Sequence, residues 1–264
     1  MKVRIKFRKY GVLRFIGHLD VMRFFQKVMR RADIPIAFTG GFSPHMIMSF
    51  ASPLGIGLES DGEYLDIELR EPIDSDIAVR RMNEVTVEGI EVLSFRQIAE
   101  EKKMTGMTIL AAADYLISPK PGITGSGSLT SSMVSDNTRT AGTLCDQWQE
   151  QFTSFMNQDE IRVIKQTKRS EKEVDIRPLI YEWEFRGDSV YVRTAAGSVQ
   201  NLKPELIMDS FLKYAEYPSA DTDSLNAGSF VYRRLEMYAD AGKDGNRELV
   251  TLESLGREIR GEIN

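Results

Sequence analysis

The sequence predicts an α+β fold, and three observations predict it. The first segment, KVRIKFRKY, alternates charged and apolar residues with period two, the pattern of a half-buried strand. From His18 the period changes to that of a helix, and strand and helix patterns then take turns along the chain. The composition, 42% hydrophobic and 28% charged over 264 residues, is that of a folded globular protein. That length suits one large domain or two of ordinary size.

The elements follow in order. Val3, Ile5 and Phe7 fall on one face of the first strand and Lys2, Arg4, Lys6 and Arg8 on the other, which reads as a cationic outward face. After a turn at Gly11 comes a short apolar piece, Val12 to Ile16. Between His18 and Ala32 an apolar stripe runs Leu19, Met22, Phe25, Val28 or Met29, and Ala32. Arg23, Lys27 and Arg30 recur at i, i+4 and i+7 on another face, with Arg31 beside them. Gly17 takes the N-cap, Asp20 favours the positive end of the helix, and Asp33 and Pro35 end it. Breakers from Thr39 to Pro44 mark a loop, followed by a strand over 46–50 and a second loop through Pro53, Gly55 and Gly57. A strand over 63–69, a helix over 75–84 capped by Asp74, and a strand over 90–95 complete the order β-α-β-β-α-β. That order is the split βαβ, or ferredoxin-like, arrangement.

A second unit is expected beyond it. Residues 108–119 read as a strand, 121–141 as a mobile loop rich in Gly, Ser and Thr, and 144–156 as a helix striped by Trp148, Phe152 and Phe155. Strands are expected over 160–166, 180–185 and 189–194, then a helix over 204–214 with Pro204 in its first turn. Residues 230–238 fit a strand or a short helix. The expectation is a tandem of two ferredoxin-like domains, 1–98 and 99–264.

Net charge is −5, yet residues 1–50 hold ten Lys and Arg against Asp20 and Asp33, a balance of +8 that leaves −13 for the remainder. Such asymmetry points to a localised anion-binding face. Cys145 stands alone, which excludes an intrachain disulfide and a Cys-rich zinc site. No apolar run approaches the length that crosses a bilayer, and the first residues lack the apolar core of a signal peptide. A cytoplasmic setting with no membrane association is therefore expected. No phosphate-binding glycine loop, dinucleotide fingerprint or Gly-x-Ser-x-Gly elbow occurs, so no cofactor is expected.

The two histidines, His18 and His45, flank the basic helix. In the leading reading Arg4, Arg8, Arg23, Lys27, Arg30 and Arg31 track phosphates, while His18, Phe42, Ser43 and His45 line a specific pocket. Tyr10, Phe24 and Phe42 lie where aromatic rings stack on bases, although Phe24 and Phe42 also suit a core. In the alternative reading His18 and His45 act as a metal-independent acid–base pair on RNA, with Lys27 or Arg30 stabilising phosphorane charge. No metal site is expected from His18, Asp20 and His45, because positions i and i+2 at a helix start point apart. Asp175 lacks the arginine before it and the glycine after it that a pseudouridine synthase would place there, and reads as structural with Arg177. The cations from Arg162 to Arg177 are diluted by Glu171, Glu173 and Asp175 and read as a solvated hairpin.

The segments LRFIGHLD (13–20), RRADIPIAFTGGFSPH (30–45), SPLGIGLES (52–60) and EYLDIEL (63–69) carry a resemblance. So, more loosely, do VDIRPLI (174–180) and NLKPELIM (201–208). With them the chain resembles the radical-SAM-linked protein family, a bacterial domain. Gly17 stands where the family pattern has a serine, so a hydroxyl cap or nucleophile is lost there. The resemblance implies a companion of radical SAM proteins, fused behind one or encoded near one. The chain cannot itself be the radical enzyme, whose cluster needs three closely spaced cysteines. The tandem arrangement is also similar, in fold alone, to pseudouridine synthases of the tRNA anticodon-arm type and to CRISPR repeat-processing endoribonucleases. The expected function is thus an RNA-binding or accessory protein of RNA maturation or modification, acting with a radical SAM partner. A protein-interaction module that presents substrate to that partner is a further alternative.

Overall fold

In the computed structural model, which describes residues 1–120, 147–166, 171–216 and 229–261, the alternation of KVRIKFRK becomes β1 (Lys2–Lys9). A 3-10 turn over 11–15 leads through Gly17, which caps without a side-chain hydrogen bond, into α1 (His18–Arg31). Then come β2 (Met48–Phe50), β3 (Glu59–Glu68), α2 (Ser75–Val85) and β4 (Ile90–Gln97). Residues 106–109 close one helical turn, α3 (Gly106–Ile109), so the following strand β5 (Leu110–Pro119) starts two residues later than the apolar pattern suggests. The chain continues with α4 (Trp148–Met156), β6 (Arg162–Gln166), β7 (Glu171–Asp175), β8 (Ile180–Arg186), β9 (Ser189–Ala195) and α5 (Pro204–Tyr214). It closes with β10 (Phe230–Asp240), β11 (Leu249–Thr251) and β12 (Arg257–Glu258). The ambiguous stretch from Phe230 is a strand. The loop expected over 121–141 lies outside the described residues. The architecture is mixed α+β, with a large, mostly antiparallel sheet and few helices.

The chain divides into two compact units, one of residues 1–114, 195–200 and 233–264 and one of 115–194 and 201–232. In the first, β1 is central. It runs antiparallel to β3, with Ile5 opposite Leu65, and to β4, with Ile5 opposite Phe95. β2 pairs antiparallel with β3, β12 adds to β4, and β10 joins β3 in parallel at Arg233 and Arg234. Helices α1 and α2 cover one face. Val21, Phe25, Val28 and Met29 from α1, and Ala78 and Met82 from α2, pack on Val3, Ile5, Phe7 and Phe95. Phe7 meets Phe25 edge-on with centroids 4.6 Å apart. The buried stripe of α1 is therefore rotated from the expected one: Val21 points inward, and Leu19 is 63% exposed.

The segment after β12 returns to the start of α2. Ser75 N donates to Ile259 O, and Ile259 N to Ser75 Oγ. Asp74 caps the helix by accepting from the amides of Asp76 and Ile77, and its other oxygen accepts from Gly261 N at 3.0 Å. These backbone hydrogen bonds, foremost that from Gly261, hold the Asp74 carboxyl below its usual 3.8. A depressed carboxylate contributes stability that is complete above the unfolded-state value and is lost as pH falls through the folded one. Asp74→Ala is thus expected to speed hydrogen exchange at Ile77 and Gly261 at neutral pH. It should also flatten the loss of urea stability on acidification below pH 4 relative to the parent.

In the second unit β8 and β9 form a hairpin, with Trp183 opposite Val192 and a turn at Gly187, whose φ of 62° suits glycine. Helices α4 and α5 pack through Phe152 and Phe211, centroids 5.0 Å apart. β6 and β7 pair as a separate two-stranded sheet. Asp175, at the end of β7, accepts from the backbone amides of Ile161 and Arg177. Its role is structural, though through the backbone of Arg177 and not its guanidinium.

Candidate functional site

The charged face of β1 is not an outward cationic surface. Arg4 is 2% exposed. Its Nε and Nη2 donate to the two Asp66 carboxylate oxygens at 2.8 and 2.9 Å, and Nη1 and Nη2 donate to the carbonyls of Leu252 and Met104. Lys6 Nζ donates to Glu236 at 2.7 Å and to Glu253 at 3.0 Å. Burial pushes this ammonium down, but the two carboxylates together outweigh it and leave its pKa raised. Arg8 Nε donates to Glu91 at 2.7 Å. Residues around 104 and 252 lie over this side of the sheet, so the polar phase of the strand meets carboxylates, Asp66 buried and Glu236, Glu253 and Glu91 half-buried. Arg4 is therefore withdrawn from the set of phosphate contacts, and Arg8 is already matched by an acid.

Helix α1 keeps its cations outside. Arg23, Lys27, Arg30 and Arg31 are exposed. Arg23 reaches Asp20 at 3.4 Å, a bond between two exposed groups that water weakens. Lys27, Arg30 and Arg31 have no ion-pair partner among the described residues. The row follows a 14-residue helix, about 21 Å long at 1.5 Å per residue. Its cations gather toward the C-terminal end, where the helix dipole favours positive charge. Arg80 and Arg81 of α2, on the helical layer of the same unit, are exposed too. Their place between buried Ala78 and Met82 marks them as outward in the sequence as well.

The two histidines sit in different surroundings. Residues 36–47 form a hairpin bridged at Phe38–Met46, and Gly40 to His45 at its tip are all exposed, Phe42 fully. His45 Nδ1 lies 3.1 Å from Thr39 Oγ1, which also accepts from the His45 amide, so this ring braces the hairpin. His18 instead rests edge-on against Phe50, centroids 5.0 Å apart. Phe50 is five residues, roughly 16 Å of extended strand, from His45. Phe42, Ser43 and His45 are not among the residues that line the cavity beside His18. The hairpin tip and His18 are two places on the unit, not one pocket, and the acid–base pairing of the histidines finds no shared site. Tyr10 carries Arg8 over its ring at 5.2 Å, and Phe24 packs half-buried against Phe25.

The cavity at His18 holds about 10 Å³, room for one water molecule, and its polar wall is Lys9, His18 and Glu63. Glu63 is buried and paired with Arg234 Nη1 at 2.9 Å. Burial pushes the Glu63 carboxyl up, against the pull of Arg234. The sequence carried a signal for this site: Lys9 continues the phase of Val3, Ile5 and Phe7, so a lysine stands on the apolar side of the strand. Among the described residues no group of three or more His, Cys, Asp or Glu is placed to hold a metal ion.

Residues 2–204 match the family model described as "uncharacterized protein conserved in bacteria", DUF2344. The chain belongs to this family. No curated protein matches it. The span matched to DUF2344 contains the exposed row of α1, the hairpin tip and the group Lys9, His18 and Glu63. Arg234, Glu236 and Glu253, which complete ion pairs of the first unit, lie beyond the matched span. No helix among the described residues is long and apolar enough to cross a membrane.

Proposed function

We propose that the chain is an RNA-binding accessory protein of RNA maturation, acting with a radical SAM partner, and that RNA lies along the outer face of α1. The observation that carries this reading is the row Arg23, Lys27, Arg30 and Arg31, exposed and, apart from Arg23, without carboxylate partners among the described residues. Neighbouring Arg8, Arg14 and Lys6 all have such partners. Phe42 at the hairpin tip offers an open ring for stacking. The radical SAM partner rests on the resemblance in residues 13–69. We read both units as ferredoxin-like. In the first, the order β4-β1-β3 with β2 on the far side of β3 supports this, and in the second the β8–β9 hairpin with α4 and α5.

In fluorescence-anisotropy titrations with tRNA and rRNA fragments, binding at 50 mM salt is expected to weaken with a log–log slope of about −3 for four contacts to single strands. No binding at 50 mM, or binding indifferent to salt, overturns the proposal. A separate observation favours a second reading, a protein-interaction module for the same partner. Val12, Phe15, Leu19 and Ile56 are each at least 60% exposed. Gly57 N donates to Arg14 O, which brings their segments together. Grouped apolar exposure of this kind marks interaction surfaces. Co-purification with a radical SAM protein in the absence of RNA binding selects that reading.

A further inference from the structure

Lys9 is 2% exposed, and its Nζ donates to the carbonyls of Arg14 at 3.5 Å and Ile16 at 3.3 Å. These are long contacts for an ammonium, whose hydrogen bonds run nearer 2.8 Å. No carboxylate oxygen among the described residues lies within the 4.0 Å of an ion pair. Its neighbours differ: Arg4, Lys6, Arg8 and Arg14 each have a carboxylate within 3.1 Å. A buried ammonium with only long carbonyl contacts and no carboxylate is costly, and the amine escapes that cost by giving up its proton. Burial does push the Lys9 pKa down; Glu63 on β3 pulls against it, and Arg234 on β10 adds repulsion. The remaining ionisable group on this cavity is His18 at the start of α1, whose ring makes no hydrogen bond among the described residues and rests edge-on against Phe50. Phe7, Phe50 and Leu54 supply apolar walls.

We propose that Lys9 is a nucleophilic amine and that its cavity is a Schiff-base site for a small aldehyde or ketone. The lone pair of neutral Nζ attacks the carbonyl carbon, and one Nζ proton passes to the carbonyl oxygen to give a neutral carbinolamine. His18 delivers the proton with which the hydroxyl leaves as water, and the protonated imine remains on Lys9. The one-water cavity admits the departing water. A ligand larger than the cavity enters only by displacing an apolar wall such as Leu54.

The test uses the full chain, limiting formaldehyde with cyanoborohydride, and peptide mass spectrometry from pH 6 to 9. An ordinary lysine, with a pKa near 10.4, gains about tenfold in rate per pH unit over this range. Lys9 is expected to be methylated ahead of exposed Lys27 at pH 6 to 7, with a rate that climbs less steeply than that of Lys27 towards pH 9. If Lys9 stays unmodified while Lys27 reacts, or rises tenfold per unit in step with it, the proposal is overturned. Because the unsubstituted protein is probed, no outcome can be ascribed to a variant that fails to fold.

Discussion

Arg4→Ala is expected to destabilise the protein by about 3–5 kcal/mol, a large part of the 5–15 kcal/mol typical of a folded domain. The reason is what the substitution leaves behind. Asp66 would keep its charge in a site where it is 8% exposed, with the Gly106 amide at 2.7 Å as its remaining donor. The carbonyls of Leu252 and Met104 would each lose a guanidinium hydrogen bond. Pairing Arg4→Met with Asp66→Leu removes both charges and should recover more than half of the loss. Recovery should stay incomplete, because the two carbonyls and the Gly106 amide have no new partner. Urea unfolding with an unchanged m-value is the measurement. A loss below about 1 kcal/mol for Arg4→Ala would mean that the pair is solvated, as surface pairs are.

The second large effect concerns binding. Replacing Lys27, Arg30 and Arg31 together by Gln removes three exposed positive charges and keeps residues that favour helix. Stability should change by no more than about 0.5 kcal/mol per site, the range for exposed substitutions. RNA affinity at 50 mM salt should fall at least tenfold, and the salt slope should shrink by about 2, since each lost phosphate contact removes roughly 0.7. Arg162→Gln serves as control, because that guanidinium is already bound by Glu160 and Glu173. A triple variant that binds RNA like the parent removes α1 from the interface even if RNA binding itself is real.

The fold was legible where local chemistry decides it. Gly17 and Asp74 mark the starts of α1 and α2, and Pro204 opens α5 at the residue that the sequence indicates. The surface of β1 was not legible, because alternation reports that two faces differ and not what covers the second. Its acids, Asp66, Glu236 and Glu253, stand 62, 230 and 247 residues from the cations they meet. The phase of α1 erred for a similar reason. Leu19 and Val21 both suit a core, and only the sheet packed against the helix selects Val21. At the candidate site the exposed row on α1 followed from i, i+4 and i+7 spacing alone. The separation of His18 from His45 did not, because it depends on a hairpin that carries residues 39–45 away from the helix start.

The first unit needs residues 233–261 as well as 1–114, and this bears on the order of events during synthesis. A ribosome releases Arg4 early, but Leu252, which accepts its Nη1, emerges 248 residues later. Glu236 and Glu253, the partners of Lys6, come equally late. Until then the nascent unit carries Lys6 without its carboxylates and the Glu59–Ser60 end of β3 without its β10 neighbour, an open strand edge of the kind that aggregates. Closure of this unit therefore waits until residue 253 has been made, and contacts of such long sequence separation make it slow. Chaperone demand during expression should follow from that delay, and release of the chain before residue 233 should leave a fragment that cannot finish its first unit.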